Sequence, residues 1–312
     1  MNRCPLSRKP IEPTEWYHPE GLRRLTRSLT ELKPLSFNAE SLRQEALRRA
    51  RRLSIQGVQP KLSAVLDTRA GTFQMVDTGG RFIIKPPHPV FPSLPENEEV
   101  TMRLAATTGI EVPTMGLVWG EDRTLSYIIR RFDRVGKNEK VPLEDGAQLS
   151  GRTRETKYDY SVERLVPLMQ QFCTFPRLDL LRLYLLILFS FLVGNEDLHL
   201  KNVSLIREKG VVRLSPAYDL VNSTLLLGPE AEESALTIAG KRRGLTRRIL
   251  IDYLGRDRFG LPDRQIDSEL EKLWTARSGW NAIIDDSFLP ADLKSEYIDI
   301  VSERSTRFFT ES

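Results

Sequence analysis

Apolar positions recur along the chain in two rhythms. Up to about residue 132 they mostly alternate over short stretches, and beyond it they recur at helical spacing. Lys61–Leu66, Thr72–Val76 and Phe82–Lys85 read as strands, separated by turns at Thr68–Gly71 and Asp77–Gly80. Thr114–Trp119 and Ser126–Arg130 read the same way. Between these groups Glu96–Thr108 reads as a helix, closed by Gly109 where a left-handed C-cap glycine belongs. The preceding stretch, Pro86–Pro95, is too rich in proline for a helix or a central strand. Ser41–Leu53 is predicted helical, with Leu42, Ala46 and Ala50 at spacings of four. Residues 1–35 carry turn and charge signals without a long period, so an irregular extension is expected there.

After Phe132 the balance shifts. Val135–Thr156 is polar and glycine-bearing, as in a linker or insertion. Helices are then predicted over Ser161–Phe172, Leu178–Val193, Asp263–Trp274 and Leu293–Phe308. Short strands at Val203–Ile206 and Val211–Leu214 flank a turn at Arg207–Gly210. From Leu183 to Val193 every residue is apolar except Tyr184 and Ser190. That run falls well short of the roughly 20 residues that cross a bilayer, so it reads as a buried core helix. The expected class is α+β and bilobal, with a β-rich lobe over 1–132 and a helical lobe over 133–312.

Composition adds exclusions more than direction. With 312 residues, 40% hydrophobic and 28% charged, the chain can build an ordinary core without staples. Its cysteines, Cys4 and Cys173, are far apart and in no ligand-spaced pair, which fits a reducing cytosol better than a disulfide framework or a zinc site. The N-terminal MNRCPLSRKP lacks the apolar stretch of a signal peptide. The net charge of +4 is concentrated locally, at Arg48, Arg49, Arg51 and Arg52 and at Lys241, Arg242, Arg243, Arg247 and Arg248. Either cluster could meet nucleic acid or acidic protein, but a solvated basic face near an anionic cofactor is the favoured reading. With only His18, His88 and His199, a histidine-based metal or triad mechanism fits poorly.

The segment richest in chemistry is Gly194-Asn195-Glu196-Asp197-Leu198-His199-Leu200-Lys201-Asn202. It follows the apolar helix and precedes the short hairpin. Asp197 and Asn202 have the spacing of the kinase catalytic loop H-R-D-x-x-x-x-N. There the aspartate takes or orients the hydroxyl proton and the asparagine oxygen holds magnesium. Lys201 would offset charge on the transferred phosphate. After the hairpin comes Ser215-Pro216-Ala217-Tyr218-Asp219-Leu220, with Asp219 where a second magnesium-binding acid belongs. Hard oxygens from Asp219 and Asn202, completed by phosphates and water, suit Mg²⁺. Upstream, Lys85 ends the apolar run Phe82-Ile83-Ile84 as the phosphate-neutralising lysine of V-A-I-K does. Glu98 is its expected partner, with Glu96 and Glu99 as competitors. Backbone amides of Gln56-Gly57-Val58-Gln59-Pro60-Lys61 could cover phosphates as a nest. Taken alone, His199 reads as a hydrogen-bonded structural histidine. The order of all these parts points to phosphotransfer from ATP to a hydroxyl.

These residues resemble the HipA-like serine/threonine kinases, toxins of bacterial toxin–antitoxin systems. The likeness runs from about Leu53 to Val221 and rests on S-I-Q-G-V-Q-P-K, F-I-I-K-P, E-N-E, R-R-F-D-R (Arg130–Arg134), G-N-E-D-L-H-L-K-N and P-A-Y-D-L. The short HipT form is the nearer likeness, since the chain begins near the phosphate loop. In tripartite systems the separate protein HipS supplies the piece that HipT lacks. The resemblance implies that Gln56 to Lys61 line the ATP phosphates and Lys85 binds the α- and β-phosphates. It puts Arg130, Arg131 and Phe132 at a hinge against adenine, although the HipA hinge has an acid where this chain has Arg130. It makes Asp197 the proton acceptor, sets His199 to Asn202 beside phosphates and metal, and gives Asp219 the magnesium. Ser54 matches a serine that these kinases autophosphorylate. A phosphate there adds about −1.5 to −2 charges at the loop that covers ATP. Implied partners are HipB-like and HipS-like antitoxins, DNA only through HipB, and an aminoacyl-tRNA synthetase as substrate, with tryptophanyl-tRNA synthetase favoured by the HipT likeness. No membrane is implied. A small-molecule kinase shares the Asp/Asn/Asp core, and a co-repressor module would use the arginine clusters on DNA.

Overall fold

The alternating segments form one antiparallel sheet in the order β2–β1–β3–β5–β4. Its strands are β1 (Leu62–Asp67), β2 (Thr72–Met75), β3 (Phe82–Lys85), β4 (Met115–Trp119) and β5 (Leu125–Arg130). The computed structural model describes residues 3–53, 59–136, 139–228 and 232–310. The expected loop residues Ser54, Gln56, Gly57 and Val58 lie outside them.

The pleat turns Leu62, Ala64, Phe73, Phe82, Ile84, Val118 and Ile128 into one buried cluster. The N-terminal segment supplies much of the rest of that cluster through Cys4, Leu6, Leu22, Leu25, Leu29, Leu32 and Leu35. The expected irregular extension is therefore part of the sheet's core, and it includes helix α1 (Pro19–Leu25). Most of it is irregular because its leucines follow a path fitted to the sheet, not a helix of their own. Helix α2 (Ala39–Leu53) adds Leu42 and Ala46 to the same cluster.

Helix α3 (Leu94–Thr107) begins two residues earlier than the proline content suggests. Pro95 lies in its first turn, where a missing N–H costs nothing. At the other end Gly109 has φ +84°, and the Ile110 amide donates to the Ala105 carbonyl at 3.1 Å. That is the 6→1 bond of a Schellman motif.

Two units are distinguished, with the boundary inside α3. One comprises Met1–Val100, Pro113–Asn138 and Asp286–Pro290; the other comprises Thr101–Val112, Glu139–Asp285 and Ala291–Ser312. The second is organised around α6 (Pro176–Leu192), which starts on Pro176 and is buried on all sides from Leu183 to Leu192. It packs against α5 (Leu165–Phe172), α8 (Asp263–Asp285) and α9 (Ala291–Thr310). Phe189 of α6 meets Trp280 edge-to-face at 5.5 Å, and Tyr184 donates to the Leu250 carbonyl at 3.1 Å. Leu250 lies in a π-helix, Ile249–Arg258, that hydrophobic period did not announce. Helix α8 runs on to Asp285, past the predicted end at Trp274, because Trp280 and Ile284 continue its buried face.

The polar stretch Val135–Thr156 is more than a linker. It carries β7 (Glu139–Lys140), β8 (Leu143–Asp145) and the single turn α4 (Gly146–Leu149), and β6 (Arg134–Val135) runs into its start. Asp145 caps α4 in a reciprocal capping box with Gln148. With β9 (Ser204–Glu208) and β10 (Val211–Leu214), β8 forms a three-stranded sheet in the order β10–β9–β8. No helix among the described residues is long and apolar enough to cross a membrane.

Trp280 is fully buried. Trp280→Ala should destabilise the helical unit by about 3–5 kcal/mol. Trp280→Phe should cost much less, because the indole N–H has no hydrogen-bond partner to lose. Urea denaturation midpoints of the intact chain measure both.

Candidate active site

Helix α6 ends in Val193, and the apolar sequence gives way at once to Gly194–Asn202. Gly194 has φ +71°, and a Cβ there would lie 2.7 Å from Asn222 Oδ1 and 2.8 Å from Thr224 Oγ1. Glycine is required at this turn. The two residues that follow are held by hydrogen bonds. The Asn195 amide donates to the Ser190 carbonyl at 2.9 Å, and the Glu196 amide donates to Ser223 Oγ at 2.7 Å. The Glu196 carboxylate, buried in the protein, accepts from Arg304 of α9 at 2.9 Å and from the Thr224 hydroxyl. Arg304 also donates to the Phe191 carbonyl at 3.2 Å, so α9 holds both the end of α6 and the segment after it.

Asp197 differs from its neighbours. Its side chain is 41% exposed, while its carbonyl accepts from the His199 amide at 2.8 Å and from Asn202 Nδ2 at 2.9 Å. The buried Asn202, on a 3₁₀ turn over Leu200–Asn202, thus commits its amide nitrogen and keeps its carbonyl oxygen as the potential ligand. Asp219 has φ +60°, a left-handed conformation that aspartate tolerates at modest cost. Next to it, Tyr218 donates to the Lys201 carbonyl at 2.8 Å and pairs with the Ser204 hydroxyl at 2.5 Å. Burial pushes the Tyr218 phenol above its ordinary range. The structure thus joins the backbone beside Asp219 to the turn that carries Asn202.

Two residues unforeseen in the sequence also stand here. The Tyr158 hydroxyl donates to Asp197 Oδ1 at 2.6 Å, and Lys157 Nζ lies 2.6 Å from His199 Nε2. Burial lowers the pKa of His199, outweighing Asp197, and burial lowers that of Lys157 as well. The signal that could have found them is a pair of tyrosines, Tyr158 and Tyr160, closing an otherwise polar loop. A third unforeseen residue is Asp145: Lys201 Nζ pairs with its Oδ2 at 2.7 Å.

In the strand-rich unit, Ile84 faces the core, so the pleat sends Lys85 to the other face, opposite Tyr127 in register. Lys85 Nζ donates to both oxygens of Glu98, at 2.7 and 2.9 Å. Of the competitors, Glu99 pairs with Arg8, and burial pushes the Glu96 carboxyl up to about 7. Among the expected hinge residues, the amides of Arg130 and Arg131 donate to the carbonyls of Thr114 and Arg81, both at 2.8 Å. The Arg131 side chain grips Asp133 through two bonds, 2.9 and 2.6 Å. Burial opposes charge on Asp133, yet Arg131 holds it below the usual carboxylate range. Phe132 is half-buried between them. Gln59 and Pro60 are half-buried, Lys61 is exposed, and Gln59 Nε2 is buried without a hydrogen-bond partner.

Residues 53–280 match the HipA-like C-terminal domain. The chain belongs to this family. A Haemophilus influenzae protein named "Putative kinase" is 32% identical over 265 residues, covering 77% of each chain. The serine/threonine-protein kinase toxin HipA of Shewanella oneidensis is 29% identical over 194 residues, which span 55% of this chain and 43% of that protein. The matched stretch therefore spans less than half the length of that toxin. In fold it is similar to HipA in the Shewanella oneidensis complex of HipA, HipB and operator DNA. There the TM-score is 0.70 at 23% identity, over 90% of this chain and 73% of that one.

Removing one partner of the Glu196–Arg304 pair strands a buried charge. Glu196→Ala should cost about 3–5 kcal/mol of stability. Glu196→Ala combined with Arg304→Met should cost less than the sum of the single changes, as read from denaturation midpoints.

Proposed function

We propose that this HipA-like chain is a serine/threonine-protein kinase toxin of a bacterial toxin–antitoxin system, acting in the cytoplasm and transferring the γ-phosphate of ATP to a protein hydroxyl. The observation that carries this reading is the Asp197–Asn202 clamp. It leaves one exposed carboxylate on a segment that Ser190, Ser223, Thr224 and Arg304 hold through hydrogen bonds. The relatives named "Putative kinase" and serine/threonine-protein kinase toxin HipA support the same reading.

In the reaction Asp197 takes the proton of the acceptor hydroxyl as that oxygen bonds to the γ-phosphorus. The bond to the bridging oxygen breaks and ADP leaves. Asn202 and Asp219 would hold magnesium, which when bound offsets charge on the phosphates. The donor set fits, since both residues offer hard oxygens. Lys85, held by Glu98, would bind the α- and β-phosphates. Gln56 to Lys61 would line the phosphates, and the buried, unpartnered Gln59 Nε2 is a donor that a phosphate oxygen would satisfy. Arg130 to Phe132 would border adenine, and His199 and Lys201 would flank the phosphates. Tyr218 would help orient Asp219.

The finer assignment is to the short HipT type within a bilobal kinase, residues 1–132 forming its N-lobe and 133–312 its C-lobe. On this reading HipB-like and HipS-like proteins are its antitoxins, and DNA is met only through the HipB-like partner. The HipA–HipB–operator complex of the structural relative supports that context. The substrate would be an aminoacyl-tRNA synthetase, tryptophanyl-tRNA synthetase by the HipT likeness. Ser54 would be autophosphorylated and would tune ATP binding.

Labelled γ-ATP tests the chemistry. Wild type should label seryl or threonyl protein in a cell lysate, and Asp197→Gln or Asp219→Asn should lower transfer by about 100-fold or more and end growth inhibition. A toxic, active Asp197→Gln chain would sink the assignment. Separately, Ser54→Ala should remove label from the loop peptide over residues 53–61, and label retained there would refute the Ser54 switch.

A further inference from the structure

The reaction needs a carboxylate that receives a proton on one defined oxygen, and Asp197 has two. Tyr158 donates to Oδ1 at 2.6 Å. His199 Nε2 lies 3.8 Å from the same oxygen, beyond hydrogen-bonding distance. Among the described residues no other side chain hydrogen-bonds this carboxylate. Oδ2 is therefore the oxygen left to a substrate hydroxyl, and the bond to Tyr158 sets the angle at which it is presented. We infer that Tyr158 is a positioning residue for Asp197, a role resting on the kinase reading above.

The tyrosine is built to hold its place. Its carbonyl accepts from the Arg242 guanidinium at 2.6 Å and from the Tyr160 amide at 2.9 Å. Its ring stands edge-on to His199 at 5.0 Å, and Lys157 Nζ lies 4.7 Å from the ring centre. The lysine reaches across to His199 Nε2 at 2.6 Å, tying the imidazole that stands edge-on to the phenol. The Leu200 amide in turn donates to the Lys157 carbonyl at 3.4 Å, which ties this loop to the 3₁₀ turn. Burial raises the phenol's pKa and the bond to Asp197 raises it further, so Tyr158 donates and does not compete for the proton.

A phenol at hydrogen-bonding distance from the catalytic carboxylate could equally obstruct it, by standing where a substrate hydroxyl should dock. The two roles predict opposite kinetics. If Tyr158 positions Asp197, Tyr158→Phe should lower kcat by up to about 100-fold with the KM for ATP unchanged. Thermal denaturation should show the variant folded. An unchanged or raised kcat would overturn the inference.

A second measurement does not depend on activity. In the full chain carrying ¹³Cζ-tyrosine, the Tyr158 hydroxyl proton is identified by its loss in Tyr158→Phe. It should exchange slowly with water, and Asp197→Ala should abolish that protection. Protection indifferent to Asp197 would refute the bond itself. If wild type transfers no phosphate while the protection behaves as expected, the kinase reading fails, Tyr158 holds Asp197 but positions nothing for phosphotransfer, and the inference falls with it.

Discussion

The constraint on which the helical unit depends is the need to satisfy polar groups where the apolar half of a helix ends inside the protein. From Leu183 to Leu192 helix α6 is buried on every side, so the chain that leaves it carries backbone amides and side chains out of reach of bulk water. Buried polar groups of this kind cost heavily when left unpaired. Gly194 reverses the chain, Asn195 bonds to Ser190, and Glu196 reaches Ser223, Thr224 and Arg304. By the time the chain reaches Asp197 its course is fixed from three directions. An exposed carboxylate on an immobilised backbone is the result, and it is what proton transfer in a defined geometry asks for.

The strand-rich unit answers a similar problem with charge. Lys85 is buried, and a buried ammonium is tolerable only with a partner. The pleat that sends Ile84 inward sends Lys85 to the other face, where Glu98 meets it through both oxygens. One residue along α3, Glu99 is bound by Arg8 from the N-terminal segment. The first residues of the chain therefore contribute to the sheet's core and also steady the helix that supplies the partner of Lys85.

Much of this was legible in the sequence because it is local. Alternation gave the five strands nearly to the residue, and the apolar run gave α6. Asp197, Asn202 and Asp219 stood out by spacing, and Lys85 with Glu98 by their place on a strand and the next helix. What escaped is what closes over distance. Tyr158 meets Asp197 and Lys157 meets His199 across about forty residues, from a turn without period, so no local pattern could pair them. Asp145 was hidden in the same way, inside a polar stretch whose two short strands and single helical turn hold too few residues to show a rhythm. The N-terminal leucines failed as a signal for another reason: they pack on the sheet along an irregular path, so their spacing reflects the surface they cover.

On the proposed function Asn202 and Asp219 would together hold the metal of a metal-bound nucleotide. Electron paramagnetic resonance of Mn²⁺, titrated into the full chain with and without ATP, tests it most directly. A protein-bound manganese signal should appear only with ATP, be lost in Asp219→Asn and be weakened in Asn202→Ala. Bound manganese that is indifferent to ATP, or unchanged in both variants, would contradict it.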